Sequence, residues 1–413
     1  MVVKYFQRAL IVSGLALFLA PLASAQSSRP RRTTPQPESV LLPQPTPTPA
    51  PRKSNTPLLD IQPVKPVGDA PVNPGTDTGD TSHAYALFQQ GQYAAAAKEA
   101  KQLATADPKN PEAWKLAGFS ESALKQYDKA AEDLQKALDL QRAAKQEDPN
   151  TLDLLAQAYV SVEKFDQALP LLVIATSRPG AKPDAQMLYY RGFAEYKTGK
   201  VDEAQRTFAA VVKLNPKDSL SLYYLGQIAL TKNDLDGAIN ALNRATVNDP
   251  KVGAAWMQLT SAYLRRAASA TDKATADADY LNAVRAGEGL IKVRTDAEAI
   301  TRFGQALIGA QQYARAATAL ERATAASDAS EVTFYLLGVA QSRAKNFPKA
   351  IAALEHAAQK KPDDVNVYRE LGYAYEVIKQ YAKALGAYEK GLGLAPNDSD
   401  FKESADRVRP FAK

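Results

Sequence analysis

A small residue returns along this chain at a nearly fixed interval. Ala96, Ala130, Ala168, Ala204, Ala238, Ala283, Ala316, Ala350 and Ala384 occupy equivalent places, 34 residues apart at four of the eight steps and 33, 36, 38 or 45 apart at the others. A period of this size belongs to supersecondary units that each bury one face against the next, so it implies an array rather than a single central core. Proline marks the same rhythm: Pro108, Pro216, Pro250, Pro362 and Pro396 each stand twelve residues after the small residue. The length of 413 residues agrees, being well beyond the size at which one hydrophobic core stops growing.

The stretch YRELGYAYEVIKQYAKALGAYEKGLGLAP, residues 368–396, shows what one unit contains. Tyr368, Leu371, Gly372 and Tyr375 follow the i, i+3, i+4, i+7 spacing of one helix face, and Tyr381, Ala384, Tyr388 and Gly391 mark a second. The turn between them is short, which predicts two antiparallel helices. Glycine inside a helix costs roughly 1 kcal/mol relative to alanine. Its recurrence at Gly118, Gly192, Gly226, Gly304, Gly338 and Gly372 therefore needs an offsetting gain, and close approach of two helices supplies it.

These residues resemble the tetratricopeptide repeat, whose pattern is W-x2-L-G-x2-Y, then A-x3-F, then P. LYYLGQIAL…DGAINAL…P in 222–250 and FYLLGVAQ…PKAIAALEHA…P in 334–362 fit it, and Trp114 and Trp256 fill the tryptophan slot in units two and six. The resemblance implies an all-α fold, a right-handed α-solenoid of about nine helix–turn–helix units over 81–398. The units are expected at about 77–110, 111–148, 149–184, 185–218, 219–252, 253–296, 297–330, 331–364 and 365–398. Unit one is degenerate, with Ala84 in the glycine slot and Ala100 in place of a large residue. Unit six carries about ten extra residues around RRAASATDKATADADY (265–280), whose alanine content predicts lengthened helices. Residues 399–413 are expected to form a capping helix and tail, since Phe401, Ala405 and Val408 make a short apolar stripe able to cover the open end.

Upstream of the array the pattern changes twice. Lys4 and Arg8, the apolar run from Ala9 to Leu22, and Ala23-Ser24-Ala25 before Gln26 read as a secretory signal peptide over 1–25, cleaved near Ala25–Gln26. The run is shorter than the roughly 20 residues a membrane-spanning helix needs. The chain has no cysteine, so it is not expected to be a lipoprotein and has no disulfides. Residues 26–80 hold 13 prolines, a composition that excludes helix and sheet and predicts a disordered tether. A periplasmic or secreted protein is the expectation, with no transmembrane segment in the mature chain. Of 51 basic and 45 acidic residues, eight and five precede Thr81, leaving 43 against 40 in the remainder. Nothing there resembles the basic stripe of a nucleic-acid binder.

Candidate chemistry is sparse. YKTGKV at 196–201 has Val201 where a phosphate loop needs Ser or Thr, and NDLDG at 233–237 lacks the glutamate that closes a calcium loop; both are read as repeat turns. The two histidines, His83 and His356, lie far apart, and without cysteine they leave no basis for a zinc site or a catalytic triad. The expectation is a non-enzyme with no cofactor.

The resemblance implies that the first helix of each unit lines a concave groove, with its fifth, ninth and twelfth positions facing a bound peptide or protein segment. Here those positions include Tyr85, Phe88, Lys115, Phe119, Tyr189, Phe193, Tyr196, Tyr223, Met257, Tyr335, Arg369 and Tyr373. Tyrosine, with an apolar body and polar tip, suits such a surface. The bland alternative is that these rings fill contacts between units. One variant of the family clamps a terminal carboxylate with Lys and Asn; Lys115 is present, but Phe119 replaces the Asn, so no clamp is expected. The functional expectation is a scaffold or adaptor of the cell envelope that binds a protein or peptide partner. The alternative is a helper of exopolysaccharide export or a glycan binder.

Overall fold

The structure, a computed structural model, describes residues 80–180 and 184–413; the expected signal peptide and all but the last residue of the proline-rich tether lie outside them. Nineteen α-helices follow one another, with no strand among the described residues. They pair as α1 (Ser82–Gln89) with α2 (Tyr93–Ala106), α3 (Pro111–Ala123) with α4 (Tyr127–Ala143), and α5 (Pro149–Ser161) with α6 (Phe165–Thr176). The middle units are α7 (Ala185–Lys197) with α8 (Val201–Leu214), α9 (Ser219–Thr231) with α10 (Leu235–Asn248), and α11 (Gly253–Ser269) with α12 (Lys273–Val293). The last three are α13 (Ala297–Gly309) with α14 (Tyr313–Thr324), α15 (Glu331–Arg343) with α16 (Phe347–Lys360), and α17 (Val365–Val377) with α18 (Tyr381–Leu394). Then α19 (Ser399–Val408) closes the end.

The junctions explain the recurring residues. Seven of the nine first helices, all but α1 and α11, start on short polar side chains that accept from free amides of the first turn: Asn110 from Glu112 N at 3.0 Å, Asp218 from Ser221 N at 2.8 Å, Asp296 from Ala299 N at 3.0 Å. The aromatic residue at the fourth position of a unit reaches back to the proline that ended the previous one. Trp114 Nε1 donates to the Pro108 carbonyl at 3.0 Å, Trp256 Nε1 to Pro250 at 2.9 Å, and the Tyr368 hydroxyl to Pro362 at 2.9 Å. That carbonyl lies past the helix end and lacks an intrahelical donor, so one ring both packs and satisfies it.

Between the two helices of a unit the chain reverses through one left-handed residue. At Lys125 (φ 60°), Lys125 N donates to Ser122 O at 2.9 Å and Gln126 N to Glu121 O at 2.8 Å, closing the last turn of α3. Gly199 (φ 79°) and Asn233 (φ 59°) hold the same place in units four and five, so YKTGKV and NDLDG are turns. Unit six has no such turn; its extra residues extend α11 to 17 and α12 to 21 residues.

Each helix packs on its successor, and first helices also touch the first helix of the next unit, so the pairs lie side by side in chain order. The small residues set the spacing. A methyl group added at Gly226 would stand 2.5 Å from Leu242 Cγ, which shows how closely α9 and α10 approach. Buried apolar clusters run continuously from unit to unit rather than forming one centre. At the end Phe401, Ala405 and Val408 are buried, so α19 covers the open face of α18.

Candidate partner-binding face

The first helices of the nine units stack into one continuous side of the solenoid, and the twelve candidate residues all lie on them. They are not equally available. Tyr223 and Met257 are buried, at 8% and 7% exposed, and the other ten are half-buried. Tyr85 and Phe88 pack on Ala84, Ala100, Leu116 and Ala117, with Phe88 edge-on to Tyr93 at 5.3 Å. Phe119 lies against the core of units two to four, Met257 beside Leu290 and Ala299, and Tyr373 edge-on to Phe347 at 6.1 Å.

Units four and five carry the largest aromatic group. Tyr189 and Phe193 are parallel with centroids 6.3 Å apart. Tyr224, which the fifth–ninth–twelfth rule passes over, is the hub: it lies 5.5 Å from Phe193, 5.4 Å from Tyr196, 5.1 Å from Tyr223 and stacked at 5.1 Å on Phe208. Phe208 belongs to α8 and stands where most other units have Leu, over Gly192; that change of size was the sequence signal of a cluster. With these rings between them, α7 and α9 approach one another least among successive first helices.

The polar tips form a small network. Tyr196 donates to Gln227 Oε1 at 3.3 Å, and Gln227 Nε2 donates to the Tyr223 hydroxyl. Burial, with Tyr196 nearby, pushes the Tyr223 phenol up to about 12, and burial with Tyr224 alongside holds Tyr189 well above the ordinary tyrosine range. These phenols are therefore neutral donors throughout the physiological range. Burial also raises Tyr335, with Glu370 and Asp364 adding to it; Glu370 in turn holds Arg343 through two bonds of 2.8 and 3.0 Å.

The two candidate cations reach forward along the array. Lys115 Nζ lies 2.7 Å from Glu112 and 3.1 Å from Asp148, the cap of α5. Burial alone would depress this ammonium, but Glu112 and Asp148 outweigh it and hold it above the ordinary lysine value. Arg369 lies 2.5 Å from Asp398, the cap of α19, and over the Phe401 ring at 4.5 Å. Both side chains clasp one unit to the next helix cap. Among the described residues no cluster of three or more His, Asp or Glu side chains is placed to hold a metal ion, and no helix is long and apolar enough to cross a membrane.

Helix pairs stacked side by side in chain order define the class: an α-solenoid. The tetratricopeptide-repeat family model matches residues 81–149, 154–204, 192–253 and 335–399, more than half of the chain, and the chain belongs to that family. The match is interrupted over 254–334, where unit six is lengthened, yet the helix pairs continue through it. A comparison with curated proteins gives no match. Among solved structures, the chain is similar to YrrB, titled a tetratricopeptide-repeat protein with an unusual peptide-binding site, at 15% identity over 48% of this chain and 97% of that one, TM-score 0.41. MamA from Desulfovibrio magneticus is 23% identical over 44% and 97%, TM-score 0.38. A tetratricopeptide-repeat protein from Parabacteroides merdae is 14% identical over 63% and 98%, TM-score 0.41.

Proposed function

We propose that this protein is a non-enzymatic scaffold or adaptor of the cell envelope that receives an extended peptide or protein segment along the side formed by its first helices. The observation that carries the reading is the run of first helices through nine units in chain order, with half-buried aromatic rings such as Phe119, Tyr196 and Tyr373 along it. Such a surface suits a backbone that needs hydrogen bonds along its length and apolar contacts at intervals. The envelope location rests on Lys4, Arg8, the apolar run to Leu22 and Ala23-Ser24-Ala25. Contact falls to the half-buried members, Phe119, Tyr196 and Tyr373, whereas Tyr223 and Met257 support them from beneath.

A photo-crosslinking amino acid placed singly at Phe119, Tyr196 or Tyr373 in cells should yield protein adducts. The same group at the exposed Arg206 on α8 should yield few. Adducts at Arg206 equal to those on the first helices, or none at any first-helix position, would contradict this assignment of the binding side.

A further inference from the structure

Most of the cations on the first helices are held by carboxylates. Lys115 holds Glu112 and Asp148, Arg191 holds Glu195 at 2.8 Å, Arg266 holds Asp279 at 2.7 Å and Arg369 holds Asp398. Arg343 and Glu370, paired through two bonds, tie unit eight to unit nine. With the recurring glycine as the eighth place of a unit, Arg343 is thirteenth in unit eight and Glu370 sixth in unit nine. The sixth and thirteenth places are two helical turns apart on one stripe, so this pair shows which residues of successive first helices face each other.

Between units six and seven the same two places are filled by Arg265 and Arg302. Both are half-buried, and neither has an ion pair among the described residues. Arg265 Nη2 donates to the neutral Asn233 Oδ1 at 2.9 Å, and Arg302 Nη1 to the neutral Gln305 Oε1 at 3.0 Å. Arg302 Nε is enclosed with no hydrogen-bond partner. Glu298, one turn earlier on α13, is engaged by Arg294 at 3.0 Å. A guanidinium taken partly out of water without a counter-charge is costly, and a carboxylate matches its paired N–H groups.

We infer that Arg265 and Arg302 form a receptor for an aspartate or glutamate side chain of the partner segment, which supplies at this junction what Glu370 supplies to Arg343. The inference rests on the reading of the first-helix side as the partner-binding one. The first helices run on past this junction to Tyr335 and Tyr373 in units eight and nine, so a segment lying along them passes through rather than ends here. Two units earlier Lys197, also without an ion pair among the described residues, lies over the Phe165 and Phe193 rings at 5.9 and 5.4 Å. Cations this sparse suit an occasional acidic residue among apolar ones, whereas a nucleic-acid strand carries a phosphate at every nucleotide.

Arginine side-chain N–H signals of the isotope-labelled full-length chain, assigned with Arg265→Gln and Arg302→Gln, are followed by NMR while three probes are added. Glutamate blocked at both ends, which offers only its side-chain carboxylate, should shift the Arg265 and Arg302 signals saturably. Glutamine blocked at both ends should leave them in place, and single-stranded polyuridylate should act no more strongly than the blocked glutamate per unit charge. Arg302→Glu should restore the internal pair with Arg265: the urea midpoint rises, and the affinity for blocked glutamate falls about tenfold or more. Unmoved signals, equal shifts with blocked glutamine, or tighter binding of polyuridylate would overturn the receptor. So would tenfold tighter binding of acetylglutamine with a free terminal carboxylate, which would assign the site to a chain end. Crosslinked adducts at Phe119, Tyr196 or Tyr373 without these shifts would sink the receptor and leave the binding side standing, whereas shifts without adducts would sink the binding side and, with it, the partner segment assigned here.

Discussion

Phe208→Ala should cost about 3–5 kcal/mol and should act on units four and five before any other. Phe208 is completely buried, stacked on Tyr224, 6.0 Å from Tyr189, and close enough to Gly192 that an added methyl would stand 3.0 Å from its ring. Removing the ring leaves a hole bounded by side chains from α7 and α9, and those helices cannot collapse into it without moving Tyr189 and Tyr224 together. The array is quasi-one-dimensional, with each unit stabilised by its two neighbours, so a fault here separates units one to four from units five to nine. Chemical denaturation should change from one transition toward two, with faster amide exchange centred on α7 to α10. A loss below about 1 kcal/mol with exchange unaltered in those helices would show that the rings are not the junction's core.

Phe401→Ala should cost a similar amount at the end of the array, with a different outcome. Phe401 is 1% exposed, meets Tyr388 edge-on at 6.5 Å and carries Arg369 over its other face at 4.5 Å. Without it α19 loses its anchor, and α18 exposes the surface around Tyr388 and Gly391 that the ring covers. Unit nine has one neighbour instead of two, so the loss of about 3–5 kcal/mol appears as fraying of α17 to α19 rather than division of the array. The uncovered apolar face should also promote association, read as a concentration-dependent increase in size. Local exchange in α17 to α19 that stays at the parent rate would contradict the capping role.

Much of this fold was legible because repetition removes ambiguity. A lone stripe such as Tyr368, Leu371, Gly372 and Tyr375 could belong to many helices, but similar stripes returning at intervals near 34 residues leave few architectures. The physical role of the fourth-position aromatic was not legible, since nothing in the pattern W-x2-L-G says that the indole N–H of Trp114 satisfies the carbonyl of Pro108. Helical position alone places Tyr189 and Tyr223 on one side. It does not say how deeply each sinks, because that depends on the bulk of Tyr224 and Phe208 from neighbouring helices. The partners of Lys115 and Arg369 lie 33 and 29 residues onward at Asp148 and Asp398, beyond the reach of any local window.

Underlying both predictions is the claim that contact between adjoining units, not the helix pair itself, carries the stability. Circular dichroism during urea titration of two fragments tests it: residues 331–364, one pair alone, and residues 331–413, two pairs with the cap. One pair should be largely unfolded in water, and the longer fragment should fold with a cooperative transition. A lone pair that holds full helicity and melts cooperatively would contradict the account.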